Sequence, residues 1–267
     1  MGGGDQQYWD TVAAQWQQTA PQLTWRMHSD RVNAALLARW LPAARLGRLL
    51  KTDAFDEAAG AGVVAQLAAR ATMVIAIDIS RIALAAAVRK YPDLAVAAAD
   101  LRRIPVADET LDTVVSLSSL DHFESLDELA ASLHELRRVL APGGQLILTL
   151  DNARNPAVRL RNALPFSWLN RWGIVPYRVG KTVGPRQLQM LLMQAGLEVE
   201  EVDAILHTPR VLAVALAQVI DRLGSERLRR GCLALFLACE QLARLPMRFF
   251  TGYFVAVRAR RPSGPVP

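Results

Sequence analysis

Lysine occurs at only three of the 267 positions, 51, 90 and 181, although the formal net charge is +6 and the pI about 9.9. The positive charge is therefore arginine, spread along the chain. Aromatics are only 6% of the residues and interleave with no basic block, so a nucleic-acid interface is not expected and a solvated basic surface is. Cysteine is scarcer still. Cys232 and Cys239 lie seven apart in one helical pattern, which excludes a disulfide scaffold and reads as two small buried hydrophobes. Long apolar runs are missing too: Val211–Ala217 and Cys232–Cys239 fall far short of the roughly 20 residues that span a bilayer. The opening MGGGDQQYWD has no basic n-region and no apolar h-region, so no secretory signal and a cytoplasmic location are predicted. No Cys/His cluster has metal-ligand spacing, so no metal is predicted. What the chain has is apolar residues, 52% of it, which excludes disorder.

Residues 5–46 read as helical. Tyr8, Trp9, Val12 and Trp16 recur at helical spacing, and a second helix runs from Arg31 to Leu41 before Pro42. Four of the six tryptophans lie here, either packing the helices onto the body or walling a ligand cavity.

Beyond Arg48 short apolar runs alternate with amphipathic helices. Strands are predicted at Leu49–Phe55, Thr72–Ile77, Leu94–Ala99, Thr113–Ser118, Gln145–Leu150, Leu197–Leu206 and Phe249–Arg258. Helices are predicted at Val63–Arg70, Arg81–Lys90 after a Ser80 cap, Leu126–Leu140 and Arg186–Ala195. The alternation implies a Rossmann-like, doubly wound α/β fold: a mainly parallel seven-stranded sheet with helices on both faces, N-terminal helices and a helical insertion before the last strand. Residues 151–185 read as irregular. The expected organisation is a helical cap over 1–46 and one domain over 47–267, with insertions at about 151–185 and 209–246.

Such a sheet binds ligands at the carboxyl ends of its strands, where strand order reverses. Three acidic signals fall there. Asp56-Glu57-Ala58-Ala59-Gly60-Ala61-Gly62 offers small residues and a helix N-terminus for close backbone approach. Asp78, ending the second strand, can accept both hydroxyls of a ribose or merely cap the next helix. Asp100-Leu101 after the third strand can accept from an adenine amine while the leucine packs on the base.

Together these residues resemble the class I S-adenosylmethionine-dependent methyltransferases. The resemblance runs from about Arg48 to Leu150. It is most specific at Ile104-Pro-Val-Ala-Asp-Glu-Thr-Leu-Asp-Thr-Val-Val-Ser116 and Glu135-Leu-Arg-Arg-Val-Leu-Ala-Pro-Gly-Gly-Gln-Leu-Ile-Leu148. It implies that Asp56, Ala58, Gly60 and Gly62 cradle the methionine part of S-adenosylmethionine. Asp78 would hold the ribose with Ile79 on the adenine, Asp100 and Leu101 the adenine edge, and Ser118 would lie near the reacting methyl. Ala58 in place of glycine and the extra acid Glu57 depart from the family pattern. A dinucleotide is the rival ligand, but no Gly-x-Gly-x-x-Gly is present and acids at the turn would repel a pyrophosphate.

His122, in Ser118-Ser-Leu-Asp-His-Phe123, follows the fourth strand and is either a base or a lining residue. His28 is the alternative base, His134 a surface residue, and His207 the start of the late insertion. The decorations are rich in Trp, Leu, Met and Phe. That favours O- or C-methylation of a small, partly apolar acceptor, a sugar or lipid-linked sugar included; binding of the cofactor without turnover is the alternative. The stripes Val211/Val214/Ala215/Val219 and Cys232/Leu235/Phe236/Cys239 read as a helical hairpin. It is expected either to bury both stripes against the sheet or to roof the acceptor pocket. In the second case Arg227, Arg229 and Arg230 would point outward and make peripheral contact with an anionic membrane.

Overall fold

A computed structural model describes residues 3–18 and 22–264; residues 1–2 and 19–21 of the expected N-terminal cap, and 265–267, lie outside them. In chain order come helices α1 (Gly3–Gln18) and α2 (Leu23–Trp40), strand β1 (Leu46–Lys51), short helices α3 (Phe55–Ala59) and α4 (Val64–Ala68), and β2 (Ala71–Asp78). There follow α5 (Arg81–Lys90), β3 (Ala95–Ala98), β4 (Leu111–Leu117), α6 (Leu126–Val139) and β5 (Leu140–Asp151). The remainder is α7 (Pro156–Ala163), α8 (Phe166–Arg171), α9 (Pro185–Gln194), β6 (Glu198–Ile205), α10 (Arg210–Leu223), α11 (Glu226–Cys239), α12 (Arg248–Thr251) and β7 (Phe254–Arg260).

The strands form one sheet in the order β3-β2-β1-β4-β5-β7-β6, with β7 antiparallel to both neighbours. Strand order reverses between β1 and β4, the place such a sheet reserves for its ligand. Side chains alternate across the sheet as the period of 2 requires. Leu49 and Val115 face one core with Leu36, Leu37 and Trp40 of α2. Leu50 and Val114 face the other with Leu129, Leu133 and Leu136 of α6. Capping fixes where the crossover helices begin. Ser80 accepts from the Ala83 amide at 3.2 Å, and Ser125 with Glu128 completes a capping box at α6.

Three expectations need correction. β1 ends at Lys51, not Phe55: Thr52 makes one last sheet bond to the Val115 carbonyl, then the Lys51 ammonium donates to the Asp53 carbonyl and turns the chain. Residues 151–185 are not irregular throughout, because Asn155 caps α7 by accepting from Ala157 and Val158, and Pro156 supplies a fixed φ at its start. The last strand begins at Phe254, since Arg248–Thr251 form a helical turn.

The hairpin is present, turned by Gly224 at φ 65 and restarted by a Ser225 cap, but it does not bury both stripes on the sheet. It packs on α2 through Ala213, Ala217, Cys232 and Phe236, which join the core holding Trp25 and Val32. Asp221 fastens it by accepting from the Thr24 amide at 3.1 Å and the Thr24 hydroxyl at 2.5 Å. Val211 and Val219 stay exposed. Arg227 and Arg230 are exposed as expected, but Arg229 is folded back onto Asp221 and Glu226. Among the described residues no helix is long and apolar enough to cross a membrane.

Candidate functional site

A cavity of about 880 Å³ lies at the carboxyl ends of β1, β2, β4 and β5. Its floor is strand-end backbone; α1, α2, the loop 172–179 and α10 wall it in. That loop is pinned to the segment after β4: Gly180 donates to the Asp121 carbonyl and Lys181 to that of Phe123, each at 2.7 Å. A Cβ at Gly180 would run into the Phe123 carbonyl, so glycine is required there.

One half has the chemistry of a nucleoside slot. Asp78 accepts from the Ala54 amide at 3.0 Å and the Ser80 amide at 2.8 Å, one per oxygen, which leaves a lone pair on each for a vicinal diol. Burial raises its pKa. Ile79, Ala83, Ala99 and Leu101 supply flat apolar walls. Asp100 is not a free acceptor: the Arg102 guanidinium clasps it at 2.5–3.0 Å and also reaches Glu128 and Asp5. Although burial alone would raise its pKa, the Arg102 hydrogen bonds outweigh that and hold the carboxyl below its usual range.

The acidic glycine turn is displaced from where the sequence put it. Asp56 lines the cavity, together with Thr52, Asp53 and Phe55, but Ala58, Gly60 and Gly62 do not. The displacement follows from β1 ending early, which carries residues 58–62 beyond the cavity edge. Gly62 serves the fold instead, with φ +60 and Glu57 pressed against it. Glu57, the unusual acid, is fully buried. One oxygen accepts from the Val63 and Val64 amides at the start of α4, and the other lies 2.8 Å from the Lys51 ammonium. Lys51 also pairs with Asp53 at 2.9 Å, yet burial pushes Asp53 up to about 7.

The other half of the cavity is aromatic and charged. Trp9, Trp16 and Trp25 line it, while Trp40 is core, so the N-terminal tryptophans serve both purposes. Trp9 packs edge-on against His122 at 4.5 Å and near Tyr177 at 5.8 Å. His122 Nδ1 is 3.3 Å from the Arg178 carbonyl, which requires a proton on Nδ1, and Nε2 lies 3.9 Å from Asp121 Oδ1. Ser118 lines the same region and donates to Asp121 Oδ2 at 2.7 Å. Asp121 Oδ1 and Asp151 Oδ1 are buried without a hydrogen-bond partner among the described residues. Burial first, then the Asp121 charge, raises the pKa of Asp151 against the pull of Arg161 at 2.7 Å.

The remaining histidines are structural. His28 is fully buried against Phe236 and within 3.2 Å of the Thr208 hydroxyl, off the cavity, and burial lowers its pKa to about 4. His207 is held by Thr251 and the Ala204 carbonyl, and His134 is exposed. Among the described residues no cluster of His, Cys, Asp or Glu could hold a metal. Asp151, Arg161, Arg210, Tyr177 and Tyr253 were missed in the sequence. Asp151 carried the same signal as Asp78, an acid ending a strand; the other four carry none, because distant segments bring them together.

Residues 55–148 match the family described as "Methyltransferase domain". A demethylmenaquinone methyltransferase of Renibacterium salmoninarum is 30% identical over 142 residues, 52% of this chain and 58% of that protein. The chain thus spans little more than half the length of the curated relatives it matches. Among solved structures, the [4+2]-cyclase SpnF superposes with a TM-score of 0.57 at 20% identity, covering 88% of this chain and 81% of that one. The N-methyltransferase NodS of Bradyrhizobium japonicum, bound to S-adenosyl-L-homocysteine, gives 0.54 at 17% identity, covering 87% of each.

Proposed function

Because the chain belongs to the class I S-adenosylmethionine-dependent methyltransferases, we propose that it transfers a methyl group to the oxygen or carbon of a small, partly apolar acceptor. The observation that carries this reading is the division of one 880 Å³ cavity into a nucleoside slot and an aromatic chamber. That volume is near the top of the usual range for a small-molecule site, enough for a cofactor and a second molecule. The relative named for demethylmenaquinone supports an acceptor smaller than a protein or nucleic acid.

The residues present fit the cofactor, which supplies an electrophilic methyl on a sulfonium when bound. Asp78 holds the ribose and Ile79 and Leu101 clamp the base. Asp53 and Asp56 face the methionine end, where a positive charge suits them. Arg102 must share Asp100 or release it before an adenine amine can pair there. In the aromatic chamber Trp9 and Tyr177 hold the acceptor ring and exclude water. His122 Nε2 receives the proton of a hydroxyl acceptor, while Asp121 orients that hydroxyl. Most of the rate acceleration then comes from positioning.

Cofactor binding without turnover is a second reading, favoured by the acid-rich Lys51 turn that stands in place of a glycine cradle. Native mass spectrometry of the purified protein, followed by labelled cofactor with a metabolite extract, separates the two. Copurifying S-adenosyl mass with transfer of label supports methylation; binding with no transfer to any extract supports the second. The exposed Leu212, Val219 and Leu223 of α10 and the exposed Arg227 and Arg230 of α11 support membrane contact by a cytoplasmic protein, and failure to float with anionic vesicles would remove that part.

A further inference from the structure

Five arginines line the cavity, and four of them have carboxylate partners. Arg26 pairs with Asp56 at 3.4 Å, Arg102 with Asp100 at 2.5 Å, Arg161 with Asp151 at 2.7 Å and Arg178 with Glu124 at 3.9 Å. Arg210, the first residue of α10, forms no ion pair among the described residues. Its guanidinium lies 4.8 Å over the Tyr253 ring and 6.0 Å over that of Trp25. Two aromatic rings thus cover a permanent cation. Among the described residues no side chain accepts a hydrogen bond of ordinary geometry from its five N–H donors. A desolvated charge without an ion-paired partner is costly, so a site that keeps one is built for a ligand that brings the pairing group. The Asp151 charge acts on Arg210, but Asp151 is bonded to Arg161, so one carboxylate faces two guanidinium groups, and Asp121 accepts from Ser118.

We propose that Arg210 anchors an anionic group, a carboxylate or a phosphate, on an otherwise apolar acceptor. This rests on the reading of the aromatic chamber as the acceptor site. From Arg210 the α10 face runs outward through Val211, Val214 and Ala215, and Trp172 and Ile174 also line the cavity. Val211, Trp172 and Ile174 are all exposed toward solvent. The anionic end therefore sits deep, between Tyr177 and Tyr253, and the apolar body extends toward the mouth. The guanidinium fork matches the paired oxygens of either anion.

Calorimetric titration of the full chain with octanoate, octyl phosphate and 1-octanol tests this, with S-adenosylhomocysteine titrated separately. Wild type should bind at least one of the two anions about tenfold or more tighter than 1-octanol. Preference for one anion identifies the group. Arg210→Ala should bring both anions to within about twofold of the alcohol, and Arg210→Lys should fall between, with S-adenosylhomocysteine affinity unchanged in each. Equal binding of all three probes by wild type, or an undiminished anion preference in Arg210→Ala, overturns the proposal. If Arg210→Ala loses its fold, the wild-type comparison and Arg210→Lys still decide. An anion preference in a protein that does not bind S-adenosylhomocysteine would sink the cofactor reading and leave this one standing.

Discussion

The Lys51 ammonium lies 2.8 Å from Glu57 Oε2, and both side chains are wholly excluded from solvent. This pair, with Asp53 beside it, stands where β1 hands the chain to the cavity. Its position makes one residue answer for both a strand end and a helix cap. Removing one partner of a buried ion pair typically costs about 3–5 kcal/mol, because the other charge is left uncompensated. Lys51→Met should lower the unfolding free energy by about 3 kcal/mol or more in urea denaturation. A midpoint equal to wild type would mean that Asp53 and Glu57 simply protonate at little cost.

Asp78→Asn keeps one carbonyl acceptor for the Ala54 or Ser80 amide but loses the charge and half of the diol contact. Charge-assisted hydrogen bonds are worth about 1.5–3 kcal/mol, so S-adenosylhomocysteine should bind about tenfold or more weakly. Calorimetry measures this directly. An unchanged dissociation constant would move the ribose contact to another residue.

His122→Gln preserves a hydrogen bond to the Arg178 carbonyl and removes the basic nitrogen. Loss of a general base costs about 10²–10⁴ in rate, so label transfer to a hydroxyl acceptor should fall by about two orders of magnitude. Cofactor affinity should stay within about threefold. A rate near wild type would leave His122 as a lining residue only.

Excising residues 211–244 would not be a clean way to test the hairpin. Trp25 and Thr24 of α2 depend on it, so the excised chain should lose stability along with activity. Ala215→Phe is the sharper probe, because Ala215 is exposed on α10 and faces the cavity. The added ring should suppress label transfer at least about tenfold while thermal stability and S-adenosylhomocysteine binding hold. Full-rate methylation would show that α10 is scaffolding.

Two buried groups off the cavity impose opposite pH dependences. His28 is held down to about 4 by burial, below its ordinary 6.5. Between those values the unfolded chain binds the extra proton, so stability falls as pH falls. Glu240, 3.8 Å from His28 Nε2, is pushed up to about 7 by burial from 4.5. Between 4.5 and 7 the folded chain holds the extra proton, and that contribution is lost as pH rises. Glu240→Gln removes the second effect. Its stability relative to wild type should therefore climb by about 1–3 kcal/mol from pH 4.5 to 7. A flat difference across urea titrations at those pH values would show that Glu240 titrates normally.

Seven strands, α5 with its Ser80 cap, the helix α6, and the placement of Asp78, Ile79, Asp100, Leu101, Ser118 and His122 around one cavity could be read from the residues. Those features are local. Apolar periodicity sets strand and helix, Ser80 sets a helix start, and parallel crossovers bring strand ends to one edge. The end of β1 was not legible. Leu49–Phe55 reads as an apolar run interrupted by Lys51, and nothing in the run tells that Glu57 will reach back to keep the lysine buried. Nor could the sequence pair Asp100 with Arg102 rather than leave it open to a ligand. The aromatic half of the cavity lay furthest beyond reach. Asp151, Arg161, Tyr177, Arg210 and Tyr253 come from five separate segments, and of the two placements open to the α10 stripe the cavity side was taken, because α2 took the other face. The local pattern thus determined the fold and the half of the cavity around Asp78. Packing between distant segments decided which charges are paired, and so what chemistry the second half of the cavity can accept.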